Sequence, residues 1–224
     1  MKITREIIQS MIEDSFSCAW RKRAKLGTNS KRSSYFVTQL SSRLTELSGG
    51  CPLVQTTDSN GNKRPGEWLL DIAVVNHTPA ATSYKSRSSI IVSEIIWAVE
   101  SEFSTSIHEF CKDFAKLLHV RAERYLYVAG VSQITRGSRE NYIDAQIDLA
   151  RHLVNHQKIS RPFFVAFVPT PGKSGVNSSL WDRFDLATLT SWIRAEILNE
   201  DDSAKNISLP NKANSADAKS SAAD

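Results

Sequence analysis

Hydrophobic periodicity changes repeatedly along this chain, and the alternation between helix-like and strand-like spacing restricts the folds open to it. Ile3, Ile7, Ile8, Met11 and Ile12 recur at helical spacing, and Tyr35, Val37, Leu40, Leu44 and Leu47 predict a second helix ending at Gly49-Gly50. A loop with Asp58, Asn60, Gly61 and Pro65 leads into GEWLLDIAVV, a run that reads as a buried strand. After a Ser-rich connection, SIIVSEIIWAVESEF is long enough for one bent strand or two short ones. The segment SIHEFCKDFAKLLHVRAER then places Ile107, Phe110, Cys111, Phe114, Leu117 and Leu118 on one helical stripe. A strand YLYVAGV, a helix around 140–155, a strand PFFVAFV and a last helix through Trp181, Leu189, Trp192 and Ile193 complete the order.

This order predicts an α/β architecture with a mixed sheet flanked by helices. Strands within 51–102 should pair as antiparallel hairpins, and a helical crossover over 106–123 should join the 97–102 strand to a parallel strand at 125–131. Trp68, Trp97, Trp181 and Trp192 fall within predicted elements and are expected in the core.

The 224 residues suit a single domain over 1–198, with a core at about 40–170 and a basic helical part at 1–48. Residues 199–224 are mostly Ser, Ala, Asn, Asp and Lys, and are expected to be disordered. Hydrophobic residues at 41% and charged residues at 23% exclude collagenous, coiled-coil and largely disordered chains. Cys18, Cys51 and Cys111 are odd in number and far apart, which suits a reducing compartment rather than a disulfide framework. No run approaches the roughly 20 apolar residues of a membrane span, and no signal-peptide pattern opens the chain. A cytoplasmic location, without membrane partners, is expected.

Charge is unevenly placed. The net charge is +4, but the tail holds five acids and three lysines, so residues 1–198 carry +6. Much of it lies in RKRAKLGTNSKR, where Arg21, Lys22, Arg23, Lys25, Lys31 and Arg32 occur without an acid. Such a segment suits phosphate contacts that position a nucleic acid without reading its sequence.

The acids are more specific. Asp71 sits inside WLLDIAVV, where an ionised side chain is costly unless it is paired or bound to a cation. Glu100 and Glu102, two apart in WAVESE, leave the same face of a strand about 7 Å apart. A divalent cation would turn their mutual repulsion into attraction, and Mg2+ suits a site with few carboxylates and room for phosphate oxygens.

Asp71 in WLLDIAVV, Glu100-Ser101-Glu102, the helix FCKDFAKLLHVRAER and the strand YLYVAGV together resemble the PD-(D/E)XK nuclease superfamily, the restriction-endonuclease-like fold, over about residues 66–131. The resemblance implies an αβββαβ core preceded by N-terminal helices, with phosphodiester hydrolysis of DNA as the reaction. Mg2+ or Mn2+ would be held by Asp71 and Glu100, with Glu46 as a further acid from an early helix. A homodimer would form where both strands are cut. The chain departs from the superfamily's motif in having Leu70 before the Asp and Glu102 in place of the usual lysine. The resemblance then leaves Glu102 as base or outer ligand, with Lys116, one helix away, as the alternative source of positive charge.

Other motifs lead nowhere. In PTPGKSG, Phe167 stands where a phosphate-binding loop needs Gly, and Pro169 and Pro171 remove amide donors. His152 and His156 lack the intervening Glu and a third ligand of a zinc site. Two rival readings remain: a nuclease-like module that binds nucleic acid or protein without cutting, and an unrelated interaction protein whose three acids scatter in space.

Overall fold

The computed structural model describes residues 2–54, 69–79, 90–172 and 179–199. The expected loop around Asp58 to Pro65, Trp68 and the tail beyond Asn199 lie outside these residues. Among the described residues, six strands form one sheet in sequence order, β1 (Cys51–Val54), β2 (Ile72–Pro79), β3 (Ile90–Glu102), β4 (Arg124–Val131), β5 (Phe163–Pro169) and β6 (Arg194–Ile197). β1, β2 and β3 pair antiparallel, β3, β4 and β5 pair parallel, and β6 returns antiparallel to β5. The mixed α/β sheet read from the periodicity is therefore present.

Successive strand residues alternate between two hydrophobic layers. On one face, α1 (Arg5–Arg21) and α3 (Asn29–Ser48) bury Ile8, Ile12, Phe16, Phe36, Leu40 and Leu44 against Ile72, Val74, Trp97, Val99, Leu126 and Phe164. The short α2 (Arg23–Leu26) joins these two helices. On the other face, α4 (Ile107–His119) and α5 (Arg136–His156) bury Phe110, Phe114, Leu117, Ile147 and Val154 against Ala73, Ala98, Tyr127, Phe163 and Val165. Because both faces of β4 and β5 are covered, these strands read as nearly continuous apolar runs.

α3 stops where expected. Gly49 takes the left-handed conformation at φ 74° and its N–H donates to the Thr45 carbonyl, which satisfies an otherwise unpaired helix end. Gly130 on β4 has a different reason: a Cβ there would stand 2.6 Å from the Phe103 carbonyl oxygen. Only glycine lets the chain leaving β3 cross so close to β4.

Two expectations change. Asp71 lies just before β2 rather than within it, and its carboxylate substitutes for a backbone partner of β3. The last helix breaks into two short turns, α6 (Leu180–Arg183) and α7 (Leu186–Thr190), followed by β6. The open edge of β5 offers hydrogen bonds that a lone helix over this segment could not match. Gln9 of α1 then grips β6, accepting from the Ala195 N–H at 2.6 Å and donating to the Ile193 carbonyl at 3.0 Å. Trp97, Trp181 and Trp192 are buried as expected. Among the described residues, no helix is long and apolar enough to cross a membrane.

Candidate functional site

The acids picked out in the sequence gather at the end of the sheet where β3 finishes and β2 begins. Ile72 pairs with Val99, so the next position of the antiparallel ladder sets Asp71 opposite Glu100. Oδ2 of Asp71 accepts from the Ser101 N–H at 2.9 Å and from the Ser101 hydroxyl at 2.7 Å. These bonds tie the start of β2 to the end of β3 and hold the carboxylate beside Glu100.

Glu100 is 1% exposed. Its Oε2 accepts from Lys116 Nζ at 3.0 Å, while its Oε1 is buried without a hydrogen-bond partner among the described residues. Burial, followed by the charge of Asp71, pushes the Glu100 carboxyl up to about 8 against the opposing pull of Lys116. Lys116 itself is brought over the strand by the packing of Phe110, Phe114 and Leu117, and its Nζ also pairs with Asp113 Oδ1 at 2.8 Å. Burial works against its charge, but the bonds to Asp113 and Glu100 outweigh it and hold the ammonium above its usual range.

Glu102, on the same strand face, accepts from the Ser104 N–H and meets two acids from α4. Carboxylate oxygens of Glu102, Glu109 and Asp113 lie within 4.8 Å of one another. Burial, then the proximity of Asp113 and the charge of Glu109, raise the Glu102 carboxyl in spite of the Ser104 amide. Next to Glu100 on the sheet stands Tyr127, fully buried, with a hydroxyl that has no partner among the described residues. Burial and then the charges of Asp113 and Glu102 push this phenol above its ordinary value.

Glu109 and Asp113 escape a reading of strand acids alone. The signal for them is helical spacing: Glu109, Asp113 and Lys116 recur at i, i+4 and i+7, a charged stripe beside the apolar one.

Glu46 is not brought to this group. It is exposed and lines a groove with Glu6, Asp14 and Arg43 between α1 and α3, on the opposite side of the sheet from α4.

The basic segment divides in two. Arg32 is buried, and both of its terminal nitrogens bond the Asp182 carboxylate, at 2.8 and 3.2 Å. Arg23 joins the same carboxylate at 3.7 Å and stacks over Trp20 at 3.5 Å from the ring centroid. These two cations hold the helical corner together through Asp182. Arg21, Lys22, Lys25 and Lys31 remain exposed. The corner reaches the carboxylate end of the sheet: Asn29 Nδ2 donates to the Gly172 carbonyl just beyond β5, and Phe36 packs edge-on against Phe103, the residue after Glu102.

Compared with known proteins, the chain matches no family model, no curated protein and no solved structure.

Proposed function

We propose that this protein is a divalent-metal-dependent nuclease that hydrolyses phosphodiester bonds of DNA, built on a restriction-endonuclease-like core. One observation carries the reading: Asp71 and Glu100 stand side by side at a strand end with Lys116 Nζ 3.0 Å from Glu100. The element order α3-β1-β2-β3-α4-β4 agrees with the αβββαβ core that the sequence resembles.

Asp71 and Glu100 fit Mg2+ or Mn2+ as ligands, since Glu100 Oε1 is a buried oxygen with no partner among the described residues and the Asp71 charge raises the Glu100 carboxyl, an effect that a cation would reverse. Such an ion, when bound, would acidify water and polarise the scissile phosphate. Lys116, arriving from α4, supplies the positive charge that Glu102 cannot, and steadies the developing negative charge on phosphate oxygens. Glu102, with its raised carboxyl, accepts a proton from the attacking water. Exposed Arg21, Lys22, Lys25 and Lys31 line the approach for the DNA backbone, and a homodimer serves double-strand cleavage.

The test is cleavage of plasmid and single-stranded DNA by the purified chain with Mg2+ or Mn2+ and with a chelator. Asp71→Ala and Glu100→Ala should each reduce the rate by about 100-fold or more. Unchanged activity in both sinks the assignment.

A second reading, a non-cutting nucleic-acid-binding module, is favoured by the ion pairs of Lys116, which already give Glu100 and Asp113 a counter-charge. It predicts salt-sensitive DNA binding without cleavage and without affinity for divalent ions at Asp71 and Glu100.

A further inference from the structure

A cavity of about 730 Å3 opens at the other end of the sheet, beside the starts of β4 and β5. Ser93 of β3 lines it, and Glu100 lies roughly 20 Å further along that strand, so the cavity is remote from the acids. Three exposed cations line it: Arg121 from the turn before β4, and Lys158 and Arg161 from the turn before β5. Of its two acids, Glu123 pairs with Arg124 at 3.1 Å, and Glu94 accepts from Asn76 at 3.1 Å. Among the described residues, no carboxylate pairs with Arg121, Lys158 or Arg161, so three cations face the single free charge of Glu94.

Both turns are held in place. The Tyr125 hydroxyl donates to the Val120 carbonyl at 2.9 Å and accepts from the Ala122 N–H at 3.0 Å, fixing the residues on either side of Arg121. Asn199 Nδ2 donates to the Ile159 and Arg161 carbonyls, each at 2.7 Å. Lys158 has a φ of 52°, which among the described residues no other non-glycine residue shares in sign. It stands just past the α5 C-cap, where glycine is the usual residue. The N–H groups of Lys158 and Ile159 already satisfy the Asn155 and Val154 carbonyls, so the helix end does not need the ammonium. A lysine kept in this conformation against its steric preference implies a use for its charge.

We propose that Arg121, Lys158 and Arg161 form a binding site for a phosphate-bearing ligand, at the end of the sheet opposite the carboxylates. Guanidinium groups grip phosphate oxygens in pairs and lysine adds a point charge, while Gln157 and Ser160 on the same wall offer an amide and a hydroxyl donor. The excess of positive charge selects a group with about two negative charges near pH 7, as a phosphate monoester or a diphosphate has. The volume falls within the roughly 300 to 1,000 Å3 of small-molecule pockets, which leaves room for more than the phosphate itself. The site goes beyond the nuclease reading, because it requires neither Asp71 nor cleavage.

Titration calorimetry of the full-length, chelator-treated protein with inorganic pyrophosphate tests it. Arg161→Gln and Lys158→Gly should each weaken binding by about tenfold. Lys158→Gly should do so without lowering the melting temperature, since glycine takes the left-handed conformation freely. Arg136→Gln, which removes an equal charge at the far end of α5, should leave binding in place, as should Asp71→Asn. Absence of pyrophosphate binding overturns the proposal, and so does binding that neither Arg161→Gln nor Lys158→Gly alters. An equal loss in Arg136→Gln also overturns it, because net charge alone would then attract the anion. A duplex oligonucleotide, added without metal, separates the two sources of phosphate. Displacement of pyrophosphate supports a site for the DNA backbone, and failure to displace it supports a site for a small phosphorylated molecule. Loss of cleavage on Asp71→Ala bears on the nuclease reading alone.

Discussion

The helical corner and the carboxylate end of the sheet each contain a buried ionisable side chain, but only one of them is fully satisfied. Arg32 meets Asp182 through two parallel hydrogen bonds and also donates to the Arg23 carbonyl, so its charge is matched within the chain. Glu100 is as deeply buried, yet it shares one oxygen with an ammonium, leaves the other unpaired among the described residues and feels a second carboxylate. A matched charge stabilises the fold. An unmatched one disfavours it and persists where a ligand completes the balance.

The sharpest way to break this contrast is to unpair the corner. Arg32→Ala should lower unfolding free energy by about 3 kcal/mol in urea denaturation, toward the lower end for a buried pair because Asp182 is 43% exposed. A loss within about 0.5 kcal/mol, the range of ordinary surface changes, would make Arg32 available for phosphate after all.

At the acidic end, the expected effect depends on pH. The Glu100 carboxyl titrates near 8 in the folded chain, above its unfolded value of 4.5, so the folded state holds its proton more tightly. Its favourable contribution is therefore complete below about 4.5 and is lost as pH rises toward 8. Thermal melts of the chelator-treated protein should show wild type losing stability relative to Glu100→Gln across that window. A relative gain with rising pH would mean that Lys116, not burial, governs Glu100.

The smallest change in stability is expected at the exposed cations. Lys25→Ala and Lys31→Ala should each alter unfolding free energy by no more than about 0.5 kcal/mol. Each should reduce the salt dependence of DNA binding by roughly one phosphate contact. An unchanged salt slope in both would remove this corner from the nucleic-acid interface.

Much of the fold is visible in local spacing. The stripe Phe110, Phe114 and Leu117 and the runs around β4 and β5 mark their elements, because an amphipathic period is written in neighbouring residues. β6 is not visible in this way: four residues are too few for a period, and the segment extends only because β5 has an open edge. Asp71, Glu100 and Glu102 are conspicuous as acids among apolar neighbours. Glu109, Asp113 and Lys116 are ordinary helix-surface residues until α4 docks and turns that stripe over the end of β3. Arg32 carries the opposite lesson, since nothing beside it signals that Asp182, 150 positions away, will neutralise it.

Alone, the sequence determines the order of helices and strands, the two faces of each strand and the presence of misplaced acids, all properties of residues within a turn or a strand of one another. Tertiary structure alone decides which charges are balanced. Electrostatic pairing depends on distances of a few ångströms between segments far apart in the chain, and those distances exist only once both faces of the sheet are packed.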